Sequence, residues 1–144
     1  MINSVPWQTL FRSFTATLFV AAGANHFWHS AFYVRITPPM LPHRLGLVLI
    51  SGFFEIVGGI GLLIPMLRHA AGWGLCLLLL CVFPANIYMA LHADQFADLH
   101  APVWALWLRL PLQPLLMLWV WRNSRGTAVS VGDPPLKASQ INTL

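Results

Sequence analysis

Ser51-Gly52-Phe53-Phe54-Glu55-Ile56-Val57-Gly58-Gly59-Ile60-Gly61 lies inside a long apolar run and carries a single acid, Glu55. On a helix, Gly52 and Gly58 sit three residues from Glu55, and Ser51 and Gly59 four, so the small residues share its side. The run from Arg44 to Ile64 has about the length needed to cross a ~30 Å hydrocarbon core. That places an ionisable group near mid-depth, at a cost of roughly 2.5–3.5 kcal/mol on insertion scales. The question set by this stretch is what offsets that cost.

Working outward, three more segments have comparable length. The expected spans are 9–28, 44–64, 70–91 and 102–121. Of the 144 residues, 58% are hydrophobic and 8% charged, against about 25% charged in an ordinary soluble domain. The expected fold is an all-α membrane protein, a four-transmembrane-helix bundle occupying residues 1–122. Residues 123–144 read as a polar, disordered C-terminal tail.

Between the first two spans, Pro38, Pro39 and Pro42 predict an irregular connection over 29–43. Pro65, Arg68 and His69 mark a short turn. Pro84 interrupts the third span, and Pro111 and Pro114 should kink the fourth. Phe14 to Ala24 superficially resembles a signal-peptide core, but the apolar segment continues past it and no basic side chain precedes Arg12. Trp7, Trp28, Trp73, Trp104, Trp119 and Trp121 fall near segment ends, as an interfacial belt requires.

The net charge of +4 comes from basic residues at segment ends, which reads as topology signals and lipid-headgroup contacts rather than a nucleic-acid footprint. Arg12, Arg68, Arg122, Arg125 and Lys137 share one side of a four-span bundle; Arg35 and Arg44 share the other. Both termini are therefore expected in the cytoplasm, with the chain multi-pass in its membrane. Cys76 and Cys81 lie five apart, on different helix faces, and read as two buried structural thiols.

The intramembrane polar residues are Asn25, His26, Glu55, Asn86, Arg109 and Gln113. By helical rise, Glu55 lies about 16 Å below the outer start of its span and Arg109 roughly 10 Å below the outer end of its own, at residue 102. All fall in the outer half of the bilayer or at mid-depth, predicting a polar cavity reached from the outer face or outer leaflet and closed below by hydrocarbon. Arg109 is the natural counter-charge of Glu55, because arginine cannot shed its proton. The carbonyls of Trp107 and Leu110, freed by Pro111 and Pro114, offer it further acceptors. The candidate ligand-binding residues are His26, Glu55, Asn86, Arg109 and Gln113, with Glu55 and His26 as proton-handling groups. The competing reading is a helix–helix clamp, although such contacts average only ~0.6 kcal/mol in membranes. His92, Asp94, Asp98 and His100 match no established ligand spacing, so they read as a solvated loop and no metal site is expected.

Taken together, Ala22-Gly23-Ala24-Asn25-His26-Phe27, Pro38-Pro39-Met40-Leu41-Pro42, Ser51 to Gly59, Val82-Phe83-Pro84-Ala85-Asn86-Ile87-Tyr88-Met89-Ala90 and Arg109-Leu110-Pro111-Leu112-Gln113 resemble the DoxX family of small bacterial membrane proteins. The resemblance covers roughly residues 10 to 122 and implies a multi-pass protein of the bacterial inner membrane. It implies a four-helix bundle and, from some relatives, a membrane subunit of a quinone-linked oxidoreductase such as thiosulfate:quinone oxidoreductase, or of a complex for redox-stress defence. It implies a quinone as ligand and soluble or membrane redox enzymes as partners, beside the lipid bilayer. The residues supply no redox cysteine pair and no haem-ligand pair at matching depths, so no intrinsic cofactor is expected. The alternatives are a non-enzymatic anchoring, assembly or small-solute passage protein, and an intramembrane isomerase using His and Glu. Any catalytic activity, and homo-oligomerisation, are left open by the sequence.

Overall fold

The computed structural model describes residues 7–99 and 102–125. Among these the chain is helical, with no strand. The helices are α1 (Trp7–Trp28), α2 (Ser30–Ile36), α3 (Arg44–Leu63), α4 (Arg68–Leu91) and α5 (Val103–Ser124), with a 3₁₀ segment at Ala93–Leu99. Helices α3, α4 and α5 are long and apolar enough to cross a membrane. Helix α1 is as long, but Arg12, Ser13, Thr15, Thr17, Asn25 and His26 dilute its apolar character.

Two expectations about the connections change. The stretch 29–43 is not irregular throughout, since Ser30–Ile36 forms α2 and only the proline-bearing part is non-helical. Proline restricts itself and the residue before it, so its reach stops at Thr37. At the other end, α5 runs on through Asn123 to Ser124, where a tail was expected. Both Pro111 and Pro114 lie within this one helix, as Pro84 does within α4. The rest of the expected tail, 126–144, lies outside the described residues.

The long helices are arranged in the order α1, α3, α4, α5, each packed along the next. Glycine makes the α1–α3 seam possible. A Cβ on Gly23 would stand 2.5 Å from the Gly52 carbonyl oxygen, and one on Gly52 2.6 Å from Cβ of His26. Gly59 in turn meets the Ala16 carbonyl. Backbones approach this closely only where side chains are absent. Gly58 and Gly61 face α4 instead, against Leu75 and Ala71. The small residues around Glu55 are thus filled by neighbouring helices on both sides. They do not leave an open face beside it.

Two apolar clusters hold the bundle. One joins Ala16, Phe19, Leu62, Leu75, Cys76, Leu79 and Val120; the other joins Ile36, Met89, Ala90, Phe96 and Leu106. The second cluster ties α2 and the 3₁₀ segment to α4 and α5, roofing one end. The outer surface is covered by exposed Leu, Ile, Phe and Trp, as contact with lipid requires. Both cysteines are free; Cys76 is buried as expected, but Cys81 faces outward.

Candidate functional site: a polar layer in an open cleft

Helices α1 and α5 close the ring incompletely. They are joined at the end bearing Arg12. There Trp119 Nε1 donates to Thr15 Oγ1 at 2.9 Å, Phe11 meets Trp119 edge-on at 5.3 Å between centroids, and Arg12 Nε donates to the Asn123 carbonyl at 3.3 Å. Toward the other end they part. The gap opens into a cleft of about 770 Å³. Its sides are Phe14, Leu18 and Ala22 of α1 and Leu112, Leu115 and Trp119 of α5.

All five sequence-derived candidates line this one cleft: His26, Glu55, Asn86, Arg109 and Gln113. They come from α1, α3, α4 and α5, and Tyr33 of α2 joins them.

His26 is oriented by α3. Ser51 Oγ lies 3.2 Å from His26 Nδ1, and the same hydroxyl donates to the Val48 carbonyl at 2.8 Å. A hydroxyl has one proton, so Nδ1–H donates to Ser51 and the neutral ring keeps its Nε2 lone pair. The imidazole is therefore an acceptor, held in place by Ser51. Tyr33 packs edge-on against it, with ring centroids 3.8 Å apart. Asn25 Nδ2 donates to the Tyr33 hydroxyl at 3.0 Å, while Asn25 Oδ1 lies 2.7 Å from Nδ1 of His29. The phenolic O–H is thereby left as a donor.

Glu55 is 8% exposed, and its Oε2 is fully buried with no hydrogen-bond partner. The expected ion pair with Arg109 does not form. Arg109 instead points Nη1 at Met89 Sδ, 3.8 Å away, a weak acceptor. The reason is separation across the cleft: α3 and α5 stand on opposite walls with α4 between them. The Trp107 and Leu110 carbonyls freed by proline receive no side-chain bond from Arg109 or Gln113.

Asn86 and Gln113 behave differently. Asn86 Nδ2 donates to Gln113 Oε1 at 2.5 Å, and Gln113 Nε2 donates to the Leu79 carbonyl. That carbonyl is the neighbour of the Leu80 carbonyl, which Pro84 leaves without its helical donor. These two amides fasten α4 to α5, and Gln113 is buried. The cleft thus has a satisfied side and an unsatisfied one. The unsatisfied side offers an imidazole acceptor, a carboxyl group, a phenolic donor and a guanidinium, around a space large enough for a ring-sized group.

Tyr33 was missed by sequence reasoning, because the three prolines obscured the helix that presents it. The available signal was Phe32-Tyr33-Val34, an apolar aromatic run ahead of the first proline. Ser51 was read as merely small, yet it fixes the histidine tautomer. In the 3₁₀ segment Asp94 stands without His100, which lies outside the described residues. No group of three His, Cys, Asp or Glu able to hold a metal forms among the described residues.

Residues 15–124 match the family described as Domain of unknown function (DUF8561). The chain belongs to this family. The DUF8561 match contains every polar residue of the cleft, from His26 to Gln113, and stops short of Arg12. No curated protein is significantly similar to the chain. No solved structure is either.

Proposed function

We propose that this DUF8561 protein is a DoxX-like four-span bundle of the bacterial inner membrane, both termini cytoplasmic. It serves as a membrane subunit of a quinone-linked or redox-stress oxidoreductase system, and its cleft holds the head of a quinone or similar lipophilic ring. The observation that carries this reading is the unpartnered Glu55 Oε2, buried in the wall of a cleft that Arg109, Tyr33 and His26 also face. Buried polar atoms without partners are rare, and each calls for an explanation.

In this reading the ligand enters sideways from the bilayer, between α1 and α5. Its tail lies along Phe14, Leu18 and Leu115, and its ring meets the polar layer. Arg109 and the Tyr33 hydroxyl donate to an oxygen that gains negative charge, while His26 Nε2 and Glu55 handle protons. Electron transfer belongs to a partner enzyme. Titrating the detergent-solubilised chain with ubiquinone and menaquinone analogues tests this. Saturable binding that is lost in a Glu55→Gln, Arg109→Ala double variant is expected. Absence of saturable binding, or equal binding by the variant, would overturn it.

A second reading is favoured by the Asn86–Gln113–Leu79 chain, which joins α4 to α5 without a ligand. Here the protein is a non-enzymatic anchor, assembly subunit or solute-passage component, with polar groups that set helix register. Affinity isolation from native membranes separates the two: a reproducible redox enzyme among the retained proteins supports the first, and a solute-transport phenotype on deletion supports the second.

A further inference from the structure

We propose that the closed end of the bundle carries a second site, for an anionic phosphate group, formed by the guanidiniums of Arg12 on α1 and Arg68 on α4. It is independent of the cleft and of any quinone.

The start of α1, the end of α3, the start of α4 and the end of α5 converge here. Gly59 lies on Ala16, Gly61 on Ala71, and Gly72 on Ser124. Arg12 is only 8% exposed, and its Nε donates to the Asn123 carbonyl at the end of α5. Arg68 Nε donates to the Leu62 carbonyl at the end of α3, 3.3 Å away. Each guanidinium carries five N–H donors, and these bonds use one apiece. Asn123, which Arg12 reaches, adjoins Ser124, and Ser124 packs on Gly72, one turn along α4 from Arg68, so the two cations share this end. Arg125 adds a third cation, stacked 3.6 Å over the Trp121 ring.

No carboxylate balances them among the described residues. Glu55 is in mid-helix at the cleft, and Asp94 and Asp98 belong to the 3₁₀ segment at the opposite end. Carbonyls at two helix ends supply partial negative charge, but not the full charge that two guanidiniums and a nearby third require. A buried cation left without an anion is costly, and more so beside another cation. A phosphate accepts from two guanidiniums at once through paired N–H···O bonds. Trp7, Trp73 and Trp121 lie at this same end, the depth at which tryptophan marks the headgroup layer. The phosphate belongs either to an anionic phospholipid or to a free phosphate from solution.

The test is thermal unfolding of the full chain in detergent micelles. Phosphatidylglycerol, phosphatidylcholine or inorganic phosphate is titrated into the wild type and into Arg68→Gln, Arg68→Lys and Arg122→Gln variants. Phosphatidylglycerol is expected to raise the midpoint saturably and phosphatidylcholine much less. Arg68→Gln should weaken the apparent affinity about tenfold, the equivalent of one charge-assisted hydrogen bond. Arg68→Lys should retain part of the effect, and Arg122→Gln all of it. A rise produced by inorganic phosphate with the same dependence on Arg68 assigns the site to a soluble anion; a rise with the lipid alone assigns it to a headgroup. Either supports the site. If the arginines only cap helix ends, Arg68→Gln lowers the midpoint equally with and without anion. That result, or the absence of any anion-dependent rise, overturns the proposal.

Discussion

Replacing Glu55 by methionine should make the empty protein more stable and the ligand site useless. The side chains have similar length, so the wall of the cleft keeps its shape and no large cavity opens. Glu55 contributes no protein hydrogen bond through Oε2 and no ion pair with Arg109. What the substitution removes is therefore mainly a polar group buried without a partner. Such a group costs about 1–3 kcal/mol. Because Glu55 is only 8% exposed, most of that cost applies. The expected gain is about 1–2 kcal/mol in reversible unfolding by denaturing-detergent titration of mixed micelles, below the upper limit of that cost because the second oxygen is not fully buried. Glu55→Gln should be close to neutral, since the amide keeps one acceptor and adds donors. Quinone-analogue binding should fall in both variants. A loss of more than about 1 kcal/mol in Glu55→Met would refute the reasoning, by showing that the carboxyl group holds helices together.

Gln113→Leu should behave oppositely, because it strips partners from Asn86 and from the Leu79 carbonyl at once. A loss of about 1–3 kcal/mol is expected in the same unfolding assay, and an unchanged midpoint would show that the amide chain is incidental. Gly52→Val forces a side chain into Cβ of His26, so α1 and α3 must separate. Overpacking of this kind costs about 1–3 kcal/mol, read as a lowered unfolding midpoint, while Gly74→Val, where a Cβ meets nothing within 4 Å, should be tolerated. Tyr33→Phe removes only the hydroxyl. It should weaken quinone-analogue binding about tenfold, the value of a hydrogen bond to a charged or charging oxygen, and unchanged affinity would remove Tyr33 from the site.

The sequence alone determined the helical, membrane-apolar class and most helix boundaries. Long apolar runs, proline positions and tryptophans at segment ends are local signals, and they survive without tertiary knowledge. It also determined which polar residues would share a depth, because helical rise converts residue number into height. His26, Glu55, Asn86, Arg109 and Gln113 do meet at one cleft. Depth says nothing about azimuth, however, and partner choice depends on azimuth. Only the packing order α1, α3, α4, α5 decided that Glu55 and Arg109 stand on different walls, and that Gln113 turns to Asn86 and Leu79. The glycines around Glu55 show the same limit. Their spacing put them on the side of Glu55, but the tertiary structure decided that Gly52 and Gly59 serve α1 and Gly58 serves α4. The parting of α1 from α5 has no sequence signal, because it is a property of two helices far apart in the chain. That gap places a stranded acid in the wall of a cleft.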